Sequence, residues 1–335
     1  ILGGTAGQKT LEYSKEGVPV PGTEQVTAEV VNGQDIVLSI DIDMQQKLEE
    51  ALALRVEEVQ GSGGSAMLMD SATGEIYACS SSPTFDITDL TKIEEGATNL
   101  SSISSSYEPG STMKAVTMLA ALEEGIVNPD TEYFCPAALK VDDYTITDSH
   151  ERGDETMSAT TIIADSSNVG VSLIARDMGF EKLYEYIQKY QLTETTGVDY
   201  PGEAQGYVSP RDQWSEVQGY NISFGQGLTT TPIEMIRFYA ALANNGTATQ
   251  PHFLLDVPTE EEDRTYATSQ ITDNQSAIDQ LETMMQATVD RGTGTDAQIE
   301  GYRVVGKTGT AEIASDQGGY QQGVYNISFV GYLPD

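Results

Sequence analysis

The chain of 335 residues contains only two cysteines, two histidines and one tryptophan. Cys79 and Cys135 lack the close spacing of a zinc-binding pair, and only His150 and His252 could complete such a site, so no metal is expected. Neither histidine accompanies a Gly-x-Ser-x-Gly motif, and both lie in polar or proline-flanked stretches where exposure is expected. The sequence therefore disfavours a Ser-His-Asp hydrolase. The two cysteines could form a disulfide or remain as two buried free thiols, and the sequence does not decide between these states.

Basic residues are also scarce, with 17 Lys and Arg against 52 Asp and Glu and a formal net charge of −35. Such a surface repels nucleic acid and anionic lipid, so neither is expected as a partner. No apolar run approaches the roughly 18 residues that cross a bilayer. The hydrophobic content of 39% is enough for one large folded domain, with or without a small attachment.

Residues 107–125 hold the most informative stretch. Pro109 and Gly110 are typical of a helix start, and the apolar spacing after them predicts a helix. Ser111 and Lys114 are three residues apart on one helix face, so the amine could activate the hydroxyl, aided by the positive end of the helix dipole. This pair predicts a nucleophile with its own base. Taken alone, however, a capping serine and a solvated lysine explain it equally well.

Ser166-Ser167-Asn168 lies between two helical patterns, at 158–164 and 169–177. In an extended connection Ser166 and Asn168 would face one cleft, while Ser167 would point elsewhere. Ser166 could then relay a proton between the base and a leaving amine, and the Asn168 amide could bind a peptide group of a substrate. A capping serine and a turn asparagine are the simpler alternative.

Residues 303–311 read as a strand with two glycines, which suggests close approach of another backbone. Thr308 and Thr310 would share one face and bind a carboxylate, with Lys307 supplying positive potential from the other side. The stretch ending at Thr308 also fits the phosphate-loop pattern Gly-x-x-x-x-Gly-Lys-Thr. That motif requires an apolar strand before it and a helix after it, and neither is indicated, so no nucleotide is expected.

Together these stretches form, in order, the signature Ser-x-x-Lys, Ser-x-Asn, Lys-Thr-Gly. From about Gln34 to Asp335 the chain resembles the transpeptidase domain of class B penicillin-binding proteins. The resemblance is carried by Tyr107 to Lys114, Ser166-Ser167-Asn168-Val169-Gly170, Ser223-Phe224-Gly225-Gln226-Gly227, Thr231-Pro232, Ala240 to Gly246, and Gly306 to Ala311.

The resemblance implies an α/β (α+β) fold like that of serine β-lactamases, with an antiparallel sheet flanked by helices and a mostly helical subdomain. It implies that Ser111 attacks the penultimate D-Ala of a peptidoglycan stem peptide, that β-lactams acylate the same serine, and that no cofactor is needed. The N–H groups of Ser111 and Thr310 would form the oxyanion hole. The full set of implied site residues is Ser111, Lys114, Ser166, Asn168 and Lys307 for catalysis, and Thr308, Gly309 and Thr310 for substrate binding.

The domain prediction follows from composition and from the resemblance. Residues 1–33, rich in glycine and proline, read as a linker or the remnant of an upstream domain, and 34–335 as the transpeptidase domain. The resemblance implies a membrane anchor outside this chain, an extracytoplasmic site on a bacterial cell, and divisome or elongasome membrane proteins as partners. It also implies one further strand and a C-terminal helix after the strand Ser328 to Tyr332. The septal members of the family look most similar.

Local patterns predict most of the elements around these motifs. A helix is predicted over 41–60, followed by a hairpin formed by 65–69 and 75–80. The segment 126–210 is predicted to be mostly helical. Further helices are predicted at 232–244 and 276–290, and strands at 302–311 and 324–332.

Four other functions remain open within or near the same fold. A D,D-carboxypeptidase or a class D-type β-lactamase would pass the acyl group to water. A β-lactam sensor would be acylated without exchanging D-Ala, and a divisome scaffold would have no reaction at all.

Overall fold

A computed structural model describes residues 1–261, 264–314 and 319–334. Runs of strands alternate with single helices or runs of helices along the chain. All the strand pairs in this part of the chain are antiparallel. The helices are α1 (Ile42–Glu58), α2 (Ser101–Ser104), α3 (Met113–Glu123), α4 (Ala159–Ala164), α5 (Asn168–Met178), α6 (Phe180–Lys189), α7 (Glu216–Ser223), α8 (Pro232–Ala243) and α9 (Gln275–Arg291).

The strands pair two by two in the described residues: β1 with β2, β3 with β11, β4 with β5, β6 with β9, β7 with β8, β10 with β12, and β13 with β14. Their bounds are β1 (Gln8–Thr10), β2 (Gln25–Ala28), β3 (Val37–Leu38), β4 (Gly64–Met69), β5 (Ile76–Ser82), β6 (Glu132–Cys135), β7 (Ala138–Val141), β8 (Tyr144–Thr147), β9 (Glu155–Ser158), β10 (Thr247–Thr249), β11 (Leu254–Asp256), β12 (Thr268–Gln270), β13 (Val305–Ala314) and β14 (Tyr320–Tyr332).

Several local predictions are confirmed. Asp41 caps α1 by accepting a hydrogen bond from Met44 N at 2.9 Å, as expected for an aspartate just before an amphipathic run. The hairpin β4–β5 turns through Asp70, which binds the Ala72 and Thr73 N–H groups. The helices α8 and α9 and the hairpin β13–β14 also lie where the patterns predict them.

The core of the molecule is built around α3. All residues from Met113 to Leu122 are buried, and α3 packs against α5, α6, α7 and α9. On the sheet side, α1 packs on the hairpin β4–β5, α9 packs on β13, and α8 packs on β14. The helix that begins beside Ser111 is therefore held from several directions and forms a rigid support for the Ser111 turn.

Two expectations need correction, and one open question is resolved. The segment 126–210 is less helical than predicted, because β6, β7, β8 and β9 precede α4. His252 is buried rather than exposed and stacks on Tyr266 with ring centroids 3.4 Å apart. Cys79 and Cys135, which the sequence left undecided, are free and buried. Burial raises the pKa of the Cys79 thiol to about 12, so this thiol stays protonated.

The predicted domain limits concern the two ends of the described chain. Residues 1–33 are mostly exposed and contain the short pair β1–β2. At the other end β14 pairs with β13, and its Ile327 side chain is 75% exposed. Asp335 lies outside the described residues, and the further strand and helix remain predictions. No helix in the described ranges is both long and apolar enough to cross a bilayer.

The packing of α4 on α5 can be tested at Gly170, where an added Cβ would lie 2.5 Å from Ile162 Cγ1. Alanine in a helix is normally better than glycine by up to about 1 kcal/mol, but overpacking costs about 1–3 kcal/mol. We expect Gly170→Ala to lower the free energy of unfolding, measured in urea. Because Ile162→Ala would free the space, the double variant should be more stable than the sum of the single effects predicts. Simple additivity would contradict the close packing.

Candidate active site

Ser111 lies in a 3-10 turn, Gly110–Thr112, that leads directly into α3. One local and one long-range hydrogen bond hold the turn. Thr112 Oγ1 donates to Pro109 O at 2.8 Å, and Tyr239 Oη, on α8, donates to Thr112 O at 2.9 Å. Ser111 itself is only half-buried. The serine hydroxyl is thus presented by a rigid, otherwise buried segment.

Glycines allow three backbones to meet at this turn. Gly110 has a φ of +55°, and a Cβ on it would lie 2.6 Å from Thr310 O. A Cβ on Gly225 would lie 2.0 Å from Gly110 O, and Gly110 N donates to Gly225 O at 3.0 Å. On β13, a Cβ on Gly309 would lie 3.1 Å from Pro109 O. The close approach predicted from the strand glycines is therefore present, with the chain's own backbone as the partner.

The hydroxyl of Ser166 is the point where the three motifs meet. Lys114 Nζ donates to Ser166 O and, at 3.1 Å, to Ser166 Oγ. Lys307 Nζ donates to the same Oγ at 2.9 Å. The structure thus brings Lys114 and Lys307 together at Ser166. In sequence, Lys114 lies 52 residues before Ser166 and Lys307 lies 141 residues after it.

The two lysines are both 0% exposed. Burial lowers the pKa of Lys114 well below the usual 10.5, and the charge of Lys307 lowers it further, while Asp148 acts in the opposite direction. Burial lowers the pKa of Lys307 to about 7. Near neutral pH the pair therefore need not carry two charges, and a neutral amine is available as a base.

The link between α4 and α5 differs from the predicted extended connection. Ser166 has a left-handed φ of +61°, and Asn168 is already the first residue of α5. Ser167 caps α5 by accepting from Gly170 N at 2.9 Å, and its hydroxyl donates to Asp148 at 2.8 Å. Asn168 Nδ2 donates to Thr147 O at 2.9 Å.

The remaining predicted site residues lie on β13. Thr310 is exposed and Thr308 is half-buried, whereas Lys307 is buried. Thr308 Oγ1 is hydrogen-bonded to Thr293 Oγ1 at 2.5 Å, and Lys307 Nζ donates to Thr308 O at 3.0 Å. Lys307 and Thr308 lie inside a strand and not at the helix N-terminus on which a phosphate loop depends.

Sequence reasoning missed residues that contact the motifs. Asp148 accepts hydrogen bonds from Ser167 and from Val169 N, and Thr293 binds Thr308. Glu108, next to the Pro-Gly-Ser turn, accepts from Gly227 N at 2.9 Å. Burial raises the pKa of Glu108. Only Glu108 had a sequence signal, namely its position beside the motif.

This arrangement suits acyl transfer through a serine ester. It offers a half-buried hydroxyl, buried amines that can accept a proton, a bridging serine, and two backbone segments placed side by side for an oxyanion. Within the described residues no group of three or more His, Cys, Asp or Glu is placed to hold a metal ion.

Comparison with known proteins agrees with this geometry. Residues 64–335 match the family model of the penicillin binding protein transpeptidase domain. Penicillin-binding protein PbpB of Mycolicibacterium smegmatis is 33% identical over 348 residues, covering 100% of this chain and 53% of PbpB. Peptidoglycan D,D-transpeptidase FtsI of Escherichia coli is 27% identical over 319 residues, covering 95% of this chain and 52% of FtsI. The chain thus spans about half the length of these curated relatives.

A solved structure shows the same fold. Penicillin binding protein 3 of Mycobacterium tuberculosis, in complex with aztreonam, superimposes with a TM-score of 0.85 at 30% identity. The match covers 96% of this chain and 77% of that one. The fold predicted from the three motifs is confirmed, and the chain belongs to the transpeptidase domain family of the class B penicillin-binding proteins.

Proposed function

We propose that the chain is a serine-type D,D-transpeptidase that cross-links peptidoglycan stem peptides through an acyl-enzyme at Ser111. The observation that carries this proposal is the contact of Lys114 and Lys307 with the single hydroxyl of Ser166, next to the turn that presents Ser111. Relatives named as peptidoglycan D,D-transpeptidases support the reaction class, and a relative solved with aztreonam supports β-lactam binding.

The contact of Lys114 with Ser166 supports the following proton path. As Ser111 Oγ attacks the penultimate D-Ala carbonyl, its proton passes to neutral Lys114, and the tetrahedral oxyanion is stabilised by the N–H groups of Ser111 and Thr310. The proton then reaches the departing D-Ala nitrogen through Ser166, whose hydroxyl lies against Lys114 Nζ at 3.1 Å. The C–N bond breaks and the ester remains on Ser111. An amine of a second stem peptide attacks that ester, gives up a proton along the same path, and releases Ser111.

Substrate placement is proposed from the exposed side of β13. Thr308 and Thr310 would bind the terminal carboxylate, with Lys307 below the strand adding positive potential when it is protonated. Asn168 would bind a peptide group of the donor. From the relatives named as peptidoglycan D,D-transpeptidases, we propose that this domain acts anchored on the outer side of the bacterial cell membrane, beside divisome or elongasome proteins.

Labelling with penicillin tests the nucleophile. Intact-protein mass should rise by one penicillin per chain, and peptide mapping should place the adduct on Ser111. Ser111→Ala should remove the adduct, because the attacking hydroxyl is lost. Ser106→Ala, an exposed serine just upstream, is the matched control and should label like the parent. An adduct that persists in Ser111→Ala would refute the assignment.

The fate of the acyl group distinguishes a transpeptidase from its alternatives. The protein is incubated with a peptide ending in D-Ala-D-Ala and a D-amino acid acceptor, and products are identified by mass. A transpeptidase gives the new amide with release of D-Ala. A product that is only the shortened acid would mean a carboxypeptidase, rapid loss of a penicillin adduct would mean a β-lactamase, and stable acylation without D-Ala exchange would mean a sensor.

The pH profile tests Lys114 as the base. An ordinary lysine would let the labelling rate rise tenfold per pH unit up to about pH 10. Since burial lowers the pKa of Lys114, we expect the rate to rise as Lys114 loses its proton and to level off well below the usual lysine pKa of 10.5. Lys114→Met should slow labelling by at least about 100-fold. Lys92→Met, at a lysine 81% exposed, should not. A labelling rate of the parent that keeps rising up to the usual lysine pKa of 10.5 would contradict the buried base.

A further inference from the structure

One buried carboxylate is in contact with the Ser166-Ser167-Asn168 segment and has no role in the proton path. Asp148 follows β8 directly, and its side chain is 9% exposed. Ser167 Oγ donates to Asp148 Oδ2 at 2.8 Å, and Val169 N donates to Asp148 Oδ1 at 2.9 Å. The neighbouring carbonyl, Thr147 O, accepts from Asn168 Nδ2 at 2.9 Å. Three consecutive residues, 167–169, are therefore tied to the end of one strand.

The carboxylate is itself anchored. Arg152 Nε donates to Asp148 Oδ2 at 2.6 Å, and Arg152 Nη1 donates to Cys135 O at 2.9 Å. Arg152 is 15% exposed, so both members of this ion pair are largely shielded from solvent. A chain of contacts thus runs from β6 through Arg152 and Asp148 to the start of α5.

Ser166 precedes this anchored segment and depends on it. Its left-handed φ of +61° is unfavourable for a residue other than glycine and persists only where neighbouring contacts hold it. Ser167 and Val169 supply such contacts on the C-terminal side, because both are bound to Asp148. Without them Ser166 would be free to relax, and its Oγ would leave the position 3.1 Å from Lys114 Nζ and 2.9 Å from Lys307 Nζ.

We propose that Asp148 is a positioning residue for the acyl transfer, holding Ser167 and the start of α5 so that Ser166 Oγ lies between the two lysines, and balancing the charge of Lys114. The inference rests on the proposed function for its reaction, but the contacts that support it do not. Asp148 touches no reacting atom and acts through Ser166 and Lys114.

The charge of Asp148 also acts at a distance. Among the influences on Lys114, burial and Lys307 lower its pKa, and Asp148 raises it. Removing this negative charge should therefore make Lys114 lose its proton at lower pH. The charged groups facing this region are Lys114 on α3, Lys307 on β13, Asp148 and Arg152 after β8, and Glu155 on β9.

The test compares three variants with the parent by the rate of labelling at Ser111 between about pH 5 and pH 9, with folding checked by thermal melting. Asp148→Asn should lower the plateau rate by about tenfold or more, because small misplacements are costly in catalysis. It should also shift the acid limb, the part of the pH–rate profile where the rate rises with pH, to lower pH by about 0.5 pH units or more, because the negative charge of Asp148 is gone. A merely structural change would lower the plateau without moving the limb.

Two further variants separate placement from charge. Ser167→Ala removes one contact but keeps the carboxylate, so its plateau should fall while its acid limb stays in place. Glu155→Gln removes a charge that lies 3.4 Å from the same arginine but is 49% exposed, and it should match the parent in both respects. If Asp148→Asn does not fold, a parent-like plateau in Ser167→Ala overturns the proposal.

Asp148→Asn with a parent-like plateau, or with an unmoved acid limb, overturns the proposal, as does a limb that shifts equally in Ser167→Ala. The titration midpoint of the Lys114 amine is also measured without substrate. It is read from the Nζ resonances of lysine-labelled protein, in the parent and in Asp148→Asn. A parent that fails to acylate would count against the proposed function. An Nζ midpoint that does not change would count against Asp148.

Discussion

The structure depends most on the placement of two fully buried lysine amines against one serine hydroxyl. Lys114 and Lys307 both donate to Ser166 Oγ, at 3.1 and 2.9 Å. Two ammonium groups in such surroundings repel one another and lack water, so at least one amine gives up its proton near neutral pH. Burial lowers the pKa of both lysines, and the charge of Lys307 lowers the pKa of Lys114 further. A base is thus created by burial, without histidine.

The second constraint is the close contact of backbones around the nucleophile. Gly110 meets Thr310 on β13 and Gly225 in the loop after α7, at distances that leave no room for a Cβ. These contacts align the Ser111 turn with the strand that carries Lys307. Packing of α3 in the core holds the turn from below. The hydroxyl, the amines and the proposed oxyanion donors are therefore fixed relative to one another before any substrate binds, which is the condition for electrostatic catalysis.

The support of Ser166 comes from a part of the chain that carries none of the three motifs. Cys135, the last residue of β6, accepts from Arg152, and Asp148 directly follows β8. The ion pair between Arg152 and Asp148 therefore links both strands to Val169 in α5. The short strands before α4 thus help to position Ser166. They were missed in the sequence, where the segment 126–210 looked mostly helical, because strands of four residues leave too short a pattern to recognise.

The sequence by itself determined the local elements and the chemical class. The cap at Asp41, the β4–β5 turn and the glycine-flanked Ser111 helix follow from interactions between near neighbours, and such interactions are encoded in adjacent residues. The order of the three motifs was enough to indicate the family. Tertiary structure alone decided that Ser166 adopts a left-handed backbone, that its hydroxyl bridges Lys114 and Lys307, and that Asp148 supports it. It also decided the burial of His252. These features depend on residues far apart in sequence and on exclusion of water, and no local pattern records either one.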